Sequence, residues 1–236
     1  MKLIDHPSPN FDERKGGPPD CIIMHYTDMV TAQEALERLC DANAEKKVSA
    51  HYLIDVDGTI YKLVDEDKRA WHAGISSWQG EADMNSRAIG IELANPGHSN
   101  GYVPFPAAQM KALAELSKQI MARNGILPVR VLAHSDIAPS RKQDPGHLFD
   151  WKGLADQGIG VWPVPLKEDF ERAATMDVRA ALTAVGYNPD EDLKSVLTAF
   201  QRHYHPEIFK TPGKVGQPDL ETLARLSRLQ NLKFSP

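Results

Sequence analysis

The 236-residue chain contains only two cysteines, Cys21 and Cys40, which are too few for a disulfide framework. Their positions do not form the Cys-x-x-Cys spacing of redox and zinc motifs. No hydrophobic run approaches the roughly 18 residues that are needed to cross a bilayer. The first residues also lack the apolar segment of a secretory signal. The sequence therefore predicts a protein without a transmembrane segment that needs no oxidising compartment.

The chain also has no excess of basic residues. Its 27 Lys and Arg stand against 32 Asp and Glu, which gives a formal net charge of −5. Because proteins that bind nucleic acids usually carry a basic excess, we expect no nucleic-acid partner. The 42% hydrophobic and 25% charged residues are ordinary for globular proteins and exclude collagen-like and disordered classes.

Strand and helix signals alternate from residue 21 onward. Apolar runs bounded by turn residues predict five strands, at residues 21–25, 51–56, 59–64, 88–94 and 129–133. Apolar residues at helical spacing predict helices at residues 31–43 and 106–124. The Asp57-Gly58 dipeptide predicts a hairpin with a two-residue turn. This pattern is typical of the α/β class, and we expect a central mixed β-sheet flanked by helices.

The composition changes at residues 163–165 (Pro-Val-Pro), just after the last of the four tryptophans. Residues 1–20 are rich in Pro, Gly and charge, and we expect an extended leader packed on the domain that follows, 21–163. Residues 164–236 carry helical patterns at 177–185, 190–204 and 218–229, which predict a small all-α module. Since about 70 residues is near the lower limit for an independent core, this module is expected to lean on the first domain.

Two of the nine histidines, His25 and His134, stand at the ends of predicted strands. Ligands commonly bind at strand ends in α/β sheets. Asp144 follows ten residues after His134, in a loop. Two imidazoles and one carboxylate can supply three ligands to a tetrahedral Zn²⁺ and leave the fourth position for water. This is not a local spacing motif, and the alternative is that Asp144 caps the turn before Pro145.

Glu92 interrupts the apolar strand at 88–94, where a charge is costly unless it is paired, bound to a metal or facing a cleft. Beside a metal site it can serve as general base in hydrolysis. The alternative is a carboxylate at a strand edge that points to solvent. Lys142, two residues before Asp144, can place a cation near a developing oxyanion, and its alternative is an exposed loop lysine.

Several ordered blocks of sequence carry a family resemblance, namely residues 24–27 (MHYT), 48–54 (VSAHYLI), 70–78 (AWHAGISSW), 89–93 (IGIEL), 133–146 (AHSDIAPSRKQDPG) and 157–163 (QGIGVWP). In these blocks the chain resembles the zinc-dependent N-acetylmuramoyl-L-alanine amidases of the AmpD/AmiD type, most closely the AmiD branch. The likeness covers about residues 7–163. Residues 196–203 and the pattern Gly216-x-x-Asp219-x-x-Thr222 resemble a small helical peptidoglycan-binding module.

The resemblance implies that His25, His134 and Asp144 bind one zinc ion, that Glu92 is the general base and that Lys142 stabilises the transition state. It implies hydrolysis of the amide between N-acetylmuramic acid, or its 1,6-anhydro form, and L-alanine. The substrate would be peptidoglycan or an anhydro-muropeptide, in cell-wall turnover or recycling. All five residues are present, which is unlike the binding-only relatives that have lost metal ligands.

Tyr26 and His72 lie in matched blocks, and the resemblance implies that they contact the substrate. His51 lies in another matched block, but starting its strand and satisfying backbone groups is an open alternative for it. Two other functions compete: a non-catalytic peptidoglycan-binding protein, and a zinc peptidase that cuts within the stem peptide. The location expected from the sequence as written is cytoplasmic, and the alternative is the periplasm or cell envelope if the start is trimmed.

Overall fold

The computed structural model describes residues 2–232. The strands are β1 (Lys2–Asp5), β2 (Phe11–Glu13), β3 (Cys21–Tyr26), β4 (Tyr52–Ile54), β5 (Thr59–Lys62), β6 (Lys68–Ala70), β7 (Ala88–Leu93) and β8 (Val131–Ala133). The α-helices are α1 (Ala32–Cys40), α2 (Met84–Arg87), α3 (Gly97–Asn100), α4 (Ala107–Asn124), α5 (His134–Ile137), α6 (Trp151–Ala155), α7 (Lys167–Ala173), α8 (Val178–Val185), α9 (Leu193–Tyr204) and α10 (Leu220–Asn231). Short 3₁₀ turns cover Pro128–Arg130, Pro206–Lys210 and Pro212–Lys214.

Six strands form the central sheet, in the order β1-β5-β4-β7-β3-β8. Only the β4–β5 pair is antiparallel, so the sheet is mixed, as the sequence predicts. Strands β2 and β6 pair separately as a small antiparallel ribbon. The three neighbours β7, β3 and β8 are parallel and end at the same edge of the sheet. Polar residues at those three ends are therefore brought together.

Strand β3 is fully buried, and successive side chains face opposite sides of the sheet. Ile22 and Met24 join the core beneath α4 and α6. Cys21 and Ile23 join the core on the other face, which the C-terminal helices cover. By the same alternation, the His25 side chain belongs to the face that the C-terminal helices share.

The C-terminal helices share most of their core with the sheet, and only a small cluster around Ala173 and Leu223 is their own. Apolar residues of α8, α9 and α10 pack into one cluster with residues of the sheet, including Leu182 and Phe200 with Ile23, Leu132 and Met84. A second contact comes from the Trp151 ring, which stacks on His203 of α9 at 3.7 Å. The expectation that this segment leans on the first domain agrees with this shared core. Among residues 2–232, no helix is both long and apolar enough to span a membrane.

Some elements differ from the sequence expectations. The hairpin at β4 and β5 forms, but its turn takes four residues, 55–58, with Gly58 N donating to Asp55 O, instead of the predicted two. Gly58 has a φ of +86° there and supplies the left-handed residue that closes this longer turn. The leader is extended and contributes strands β1 and β2 to the two sheets. Helix α7 was not predicted, because its seven residues bury only Asp169 and Ala173 and leave a weak apolar pattern.

Candidate metal centre and active site

The site begins with the pairing of the central strands. His25 lies directly across from Glu92 in the β3–β7 register, so both side chains leave the same face of the sheet. On the other side of β3, Met24 pairs with Ala133, and His134 follows as the first residue of α5. Asp144 is fastened to the start of α5 by a hydrogen bond from Ser135 N to its carbonyl oxygen, at 3.0 Å. Strand pairing and one loop contact thus assemble four distant residues.

Three polar atoms converge on one point. His25 Nδ1 lies 2.9 Å from His134 Nδ1 and 3.1 Å from Asp144 Oδ2, and the last two atoms are 2.9 Å apart. All three residues are buried. A tetrahedral zinc with bonds of about 2.0–2.1 Å separates its ligands by slightly more than these distances. The sequence-predicted ligand set is therefore brought together as a compact two-imidazole, one-carboxylate cluster.

The hydrogen-bond partners of His134 indicate that the cluster suits a cation. His134 Nε2 lies 3.0 Å from the Ala73 carbonyl oxygen, which only a protonated Nε2 can bond. In the neutral ring, Nδ1 then presents a lone pair toward the Asp144 carboxylate, which is itself an acceptor. Two acceptors at 2.9 Å repel unless a positive charge lies between them. A metal ion meets that requirement, and the carboxylate with its two imidazoles fits zinc.

Burial and neighbouring groups together set the pKa values of His25 and Asp144. Burial, with the neighbouring His134, lowers the pKa of His25 to about 4, so its ring is neutral and able to bind a metal at pH 7. Burial by itself raises the pKa of Asp144, but the charge and hydrogen bonds of the two imidazoles hold it well below its usual range. His25 is therefore a neutral imidazole and Asp144 an ionised carboxylate, which are the forms that bind metals.

Outer partners fix the orientation of both imidazoles. His25 Nε2 lies 3.0 Å from His72 Nδ1, and His134 Nε2 donates to Ala73 O. The Arg141 guanidinium also donates to Ala73 O, at 2.8 Å, and so holds the loop that orients His134. Such outer hydrogen bonds set the tautomer and raise the basicity of ligating histidines. The neighbouring residues Ala73 and Arg141 were not predicted, since nothing in their local sequence marks them as partners of a distant ligand.

His72 occupies space that a glycine leaves open. A Cβ on Gly90 would lie only 2.4 Å from His72 Cγ, so the ring packs directly on the backbone of β7. Its Nε2 is buried and has no hydrogen-bond partner among residues 2–232. The ring lines the cleft and also stands behind His25. Its position therefore orients His25, while the substrate contact implied by the family resemblance stays a prediction.

Glu92 faces the cleft beside the cluster. Its Oε2 is buried without a hydrogen-bond partner among the described residues, although the residue as a whole is partly exposed. Burial and the nearby Asp144 charge raise its pKa well above the usual range, while the Lys142 charge acts in the other direction. A carboxyl group with a raised pKa is a better proton acceptor than an ordinary one and can return the proton to a leaving group. The alternative of a solvent-pointing edge residue does not fit this geometry.

The cleft around these residues has a volume of about 370 Å³. Lys142 lines it, half-buried, and its ammonium makes no ion pair or hydrogen bond with any residue in 2–232. Tyr26 lines it as well, with its hydroxyl 2.7 Å from His98 Nδ1. Both predicted residues thus line the cleft.

His51 is fully buried and does not line this cleft. Its Nδ1 accepts from Gly90 N at 2.9 Å, which leaves Nε2 protonated to donate to Lys68 O at 3.1 Å. Arg14 Nη2 is equally close to Nε2, but two donors cannot bond each other. Both ring nitrogens form hydrogen bonds with backbone groups, which favours the structural alternative for His51.

A second buried network ties the C-terminal helices to the site. Asp136, two residues after His134, accepts hydrogen bonds from His203 Nδ1 and from the Tyr187 hydroxyl, each at 2.7 Å. It also accepts from Ala133 N at 2.8 Å, which fixes the turn that begins α5. All of these side chains are buried. This network was missed, because nothing near Asp136 in the sequence identifies partners more than 50 residues away.

A family model for N-acetylmuramoyl-L-alanine amidases matches residues 15–147. This range includes the three residues of the ligand cluster and the two catalytic candidates, Glu92 and Lys142. The chain belongs to the N-acetylmuramoyl-L-alanine amidase family. It is 38% identical over 228 residues to AmiD of Escherichia coli K12, an alignment that covers 86% of this chain and 79% of that protein. It is also 36% identical over 163 residues to AmpD of Haemophilus influenzae, covering 61% of this chain and 86% of AmpD.

Solved structures of amidases show the same relationship. A complex of E. coli AmiD with the substrate anhydro-N-acetylmuramic acid-L-Ala-D-γ-Glu-L-Lys matches with a TM-score of 0.77 and 36% identity, covering 91% of this chain and 90% of AmiD. AmpDh3 from Pseudomonas aeruginosa matches with a TM-score of 0.78 and 31% identity, covering 91% of this chain and 92% of AmpDh3. Coverage of 91% extends into the C-terminal helices. A selenomethionine AmpD structure, by contrast, covers 66% of this amidase (TM-score 0.58, 32% identity).

Proposed function

We propose that this amidase hydrolyses the bond between the lactyl group of N-acetylmuramic acid, or of its 1,6-anhydro form, and L-alanine. The observation that carries the proposal is the Glu92 carboxyl, which has a raised pKa and stands beside a compact ligand cluster in an open cleft. A protein that only binds peptidoglycan has no need for a group that activates water. The proposed role is turnover or recycling of cell-wall material.

We propose that His25 Nδ1, His134 Nδ1 and Asp144 Oδ2 hold zinc. A zinc ion supplies Lewis acidity, which polarises the scissile carbonyl and lowers the pKa of water to about 7. His72 and the Ala73 carbonyl keep the two rings turned toward the cluster. His134 and Asp144 line the cleft, so a zinc held there would be within reach of water and substrate.

Glu92 takes a proton from the attacking water as the water oxygen bonds to the carbonyl carbon. It then delivers this proton to the alanine nitrogen, so that the C–N bond breaks and the peptide leaves as a neutral amine. The Lys142 ammonium stabilises the oxyanion of the tetrahedral intermediate, and such a donor is typically worth about 3–4 kcal/mol. Tyr26 contributes its hydroxyl to substrate contact at the cleft wall.

The test is mass spectrometry of the products formed from an anhydro-muramyl tripeptide, with and without a metal chelator. We expect release of free tripeptide, its loss on chelation and its return when Zn²⁺ is added. A shortened stem still attached to the sugar would instead identify a peptidase. Absence of any product from this fragment and from intact sacculi would support a binding-only protein and overturn the proposal.

Helices α8, α9 and α10 are proposed to support the active site, since they share the core of the sheet and the Asp136 network. Peptidoglycan binding by this segment stays a prediction, which sedimentation of a Glu92→Gln protein with sacculi would test. The cytoplasmic location also stays a prediction, and fractionation of cells that express the native gene would test it.

A further inference from the structure

A second cavity of about 310 Å³ lies between the 139–143 loop and helix α9. Arg141, Lys142 and Gln143 line both this cavity and the catalytic cleft, so the two adjoin at these residues. We call this cavity the basic groove, and its other wall includes Lys194 and Arg202 of α9. The basic groove therefore leads away from the reacting centre along the junction between the sheet domain and the C-terminal helices.

The basic groove is strongly positive. Arg141, Lys142, Lys194 and Arg202 line it, and none of its lining residues is acidic. The nearby acid Glu191 already accepts a hydrogen bond from Ser140. The similarly placed Asp192 caps the first turn of α9 by accepting from Ser195 N at 2.9 Å. The Asp192 and Asp144 charges act on Lys194 and Arg202, but no carboxylate lines the groove itself.

Arg202 is the lining residue of the basic groove whose charged group has a buried atom without a hydrogen-bond partner among residues 2–232. Its Nε is buried without a hydrogen-bond partner, and its guanidinium makes no ion pair with any residue in 2–232. The Phe209 ring packs against the guanidinium, with its centroid 5.7 Å from Arg202 Cζ. A partly buried guanidinium is costly unless an anion accepts from it. A bound ligand can supply that anion.

We propose that the basic groove binds the carboxylates of the substrate's stem peptide, with Arg202 and Lys194 as the residues that recognise them. This inference rests on the proposed function. A γ-linked D-Glu leaves its α-carboxylate free, and the peptide in the AmiD complex has this linkage. The planar guanidinium matches a carboxylate in two parallel hydrogen bonds. The sugar carries no charge to attract it to this groove.

The remaining arm of the catalytic cleft is different in character. It is lined by Trp71, which is partly exposed, and by Ala35, Leu39 and Arg38 of α1. The Trp71 ring offers a stacking surface for the sugar, which the basic groove does not. The substrate is therefore oriented with its sugar toward Trp71 and its peptide in the basic groove. In this arrangement the C-terminal segment selects substrate directly within one chain.

The test uses the full-length, zinc-loaded protein and two substrates, anhydro-N-acetylmuramyl-L-Ala-γ-D-Glu and its isoglutamine counterpart, in which a carboxamide replaces the free α-carboxylate. The quantity measured is the ratio of kcat/KM for the acid to kcat/KM for the amide. Since a hydrogen-bonded charge pair is typically worth a factor of ten or more, Arg202→Gln should lower this ratio about tenfold. Arg202→Lys should restore part of it.

Lys194→Gln serves as the second variant, because Lys194 is exposed and its replacement leaves packing intact. It should lower the ratio by a smaller factor. Lys111→Gln, an exposed lysine on α4, is the matched control and should leave the ratio unchanged. Raising the salt concentration should reduce the wild-type preference for the acid, since partly exposed charges are screened.

Binding gives a readout that does not depend on turnover. In the Glu92→Gln background, calorimetry with the free peptides L-Ala-γ-D-Glu and L-Ala-D-isoglutamine should show tighter binding of the acid, and Arg202→Gln should remove the difference. An unchanged kcat/KM ratio in both groove variants, with wild-type melting temperatures, would overturn the proposal while leaving the amidase function in place. A wild-type protein that cleaves neither substrate would instead count against the proposed function.

Discussion

Glu92 offers a prediction in which loss of activity accompanies a gain in stability. Its carboxyl lies beside the ligand cluster with a raised pKa, and its Oε2 has no hydrogen-bond partner among the described residues. Glu92→Gln keeps the shape and removes the charge. We expect activity to fall by a factor of about 10²–10⁴, because the group that moves the proton is lost.

The stability of the metal-free protein should rise at the same time. A buried polar group without a partner costs about 1–3 kcal/mol, and a charged one costs more. The carboxamide retains part of this penalty, so the net gain at pH 7 is about 1–2 kcal/mol. For a chain of this size, that corresponds to an increase in Tm of about 2–6 °C.

The gain should depend on pH in a defined direction. Because the folded-state pKa of Glu92 lies above its usual value of 4.5, the folded protein holds more protons than the unfolded one between these two pKa values. The contribution of Glu92 to stability therefore falls as pH rises through this window. Below pH 4 both side chains are neutral, so the wild-type protein and the variant should have similar Tm values there and diverge at higher pH.

Thermal unfolding between pH 4 and pH 8 in the presence of a chelator measures this difference. Glu45→Gln, at an exposed loop position, is the matched control and should shift Tm little at any pH. A lower Tm for Glu92→Gln at pH 7, or a difference that does not change with pH, would refute the reasoning. Glu92 would then be paired or well hydrated in solution.

Three further perturbations test the site and its support. His134→Ala should abolish stoichiometric zinc binding, measured by elemental analysis, since two protein ligands would remain; retained zinc would remove His134 from the ligand set. Gly90→Ala should displace the His72 ring, because the new Cβ would lie 2.4 Å from His72 Cγ, and should cost about 1–3 kcal/mol in denaturant unfolding with loss of activity. Wild-type activity and stability would contradict this packing. His203→Ala should destabilise the fold by about 1–3 kcal/mol, because it removes one of the three hydrogen bonds to the buried Asp136, and should weaken zinc binding through the displaced α5. A cost below 1 kcal/mol would show that the C-terminal helices do not support the site.

The amidase structures similar to this chain differ in how much of its C-terminal helices they cover. Structures of AmiD and AmpDh3 cover 91% of the chain, whereas the AmpD structure covers 66%. In this amidase, α9 contributes His203 beneath the site and Arg202 at the basic groove. The segment is thus part of the scaffold around the reacting centre, which is a different arrangement from a module joined by a free linker.

Local sequence was sufficient to single out candidate residues that break the pattern of their own strand or stand at its end. His25 and His134 stand at the ends of apolar strands, and Glu92 is a charge inside one, so a period-two pattern and the cost of a buried charge were enough to single them out. Family resemblance then joined Asp144 and Lys142 to them. The α/β class and the mixed sheet also followed from the alternation of strand and helix signals.

Only the tertiary structure decided how distant residues combine. The pairing of His72 with His25, the support of Asp136 by His203, and the basic groove at Arg202 all join segments more than 40 residues apart. The turn at residues 55–58 was also decided by strand register and not by the dipeptide within it. Hydrogen bonds, buried charges and cavities depend on which side chains meet in space, and a one-dimensional pattern records only which face of its own element each residue occupies.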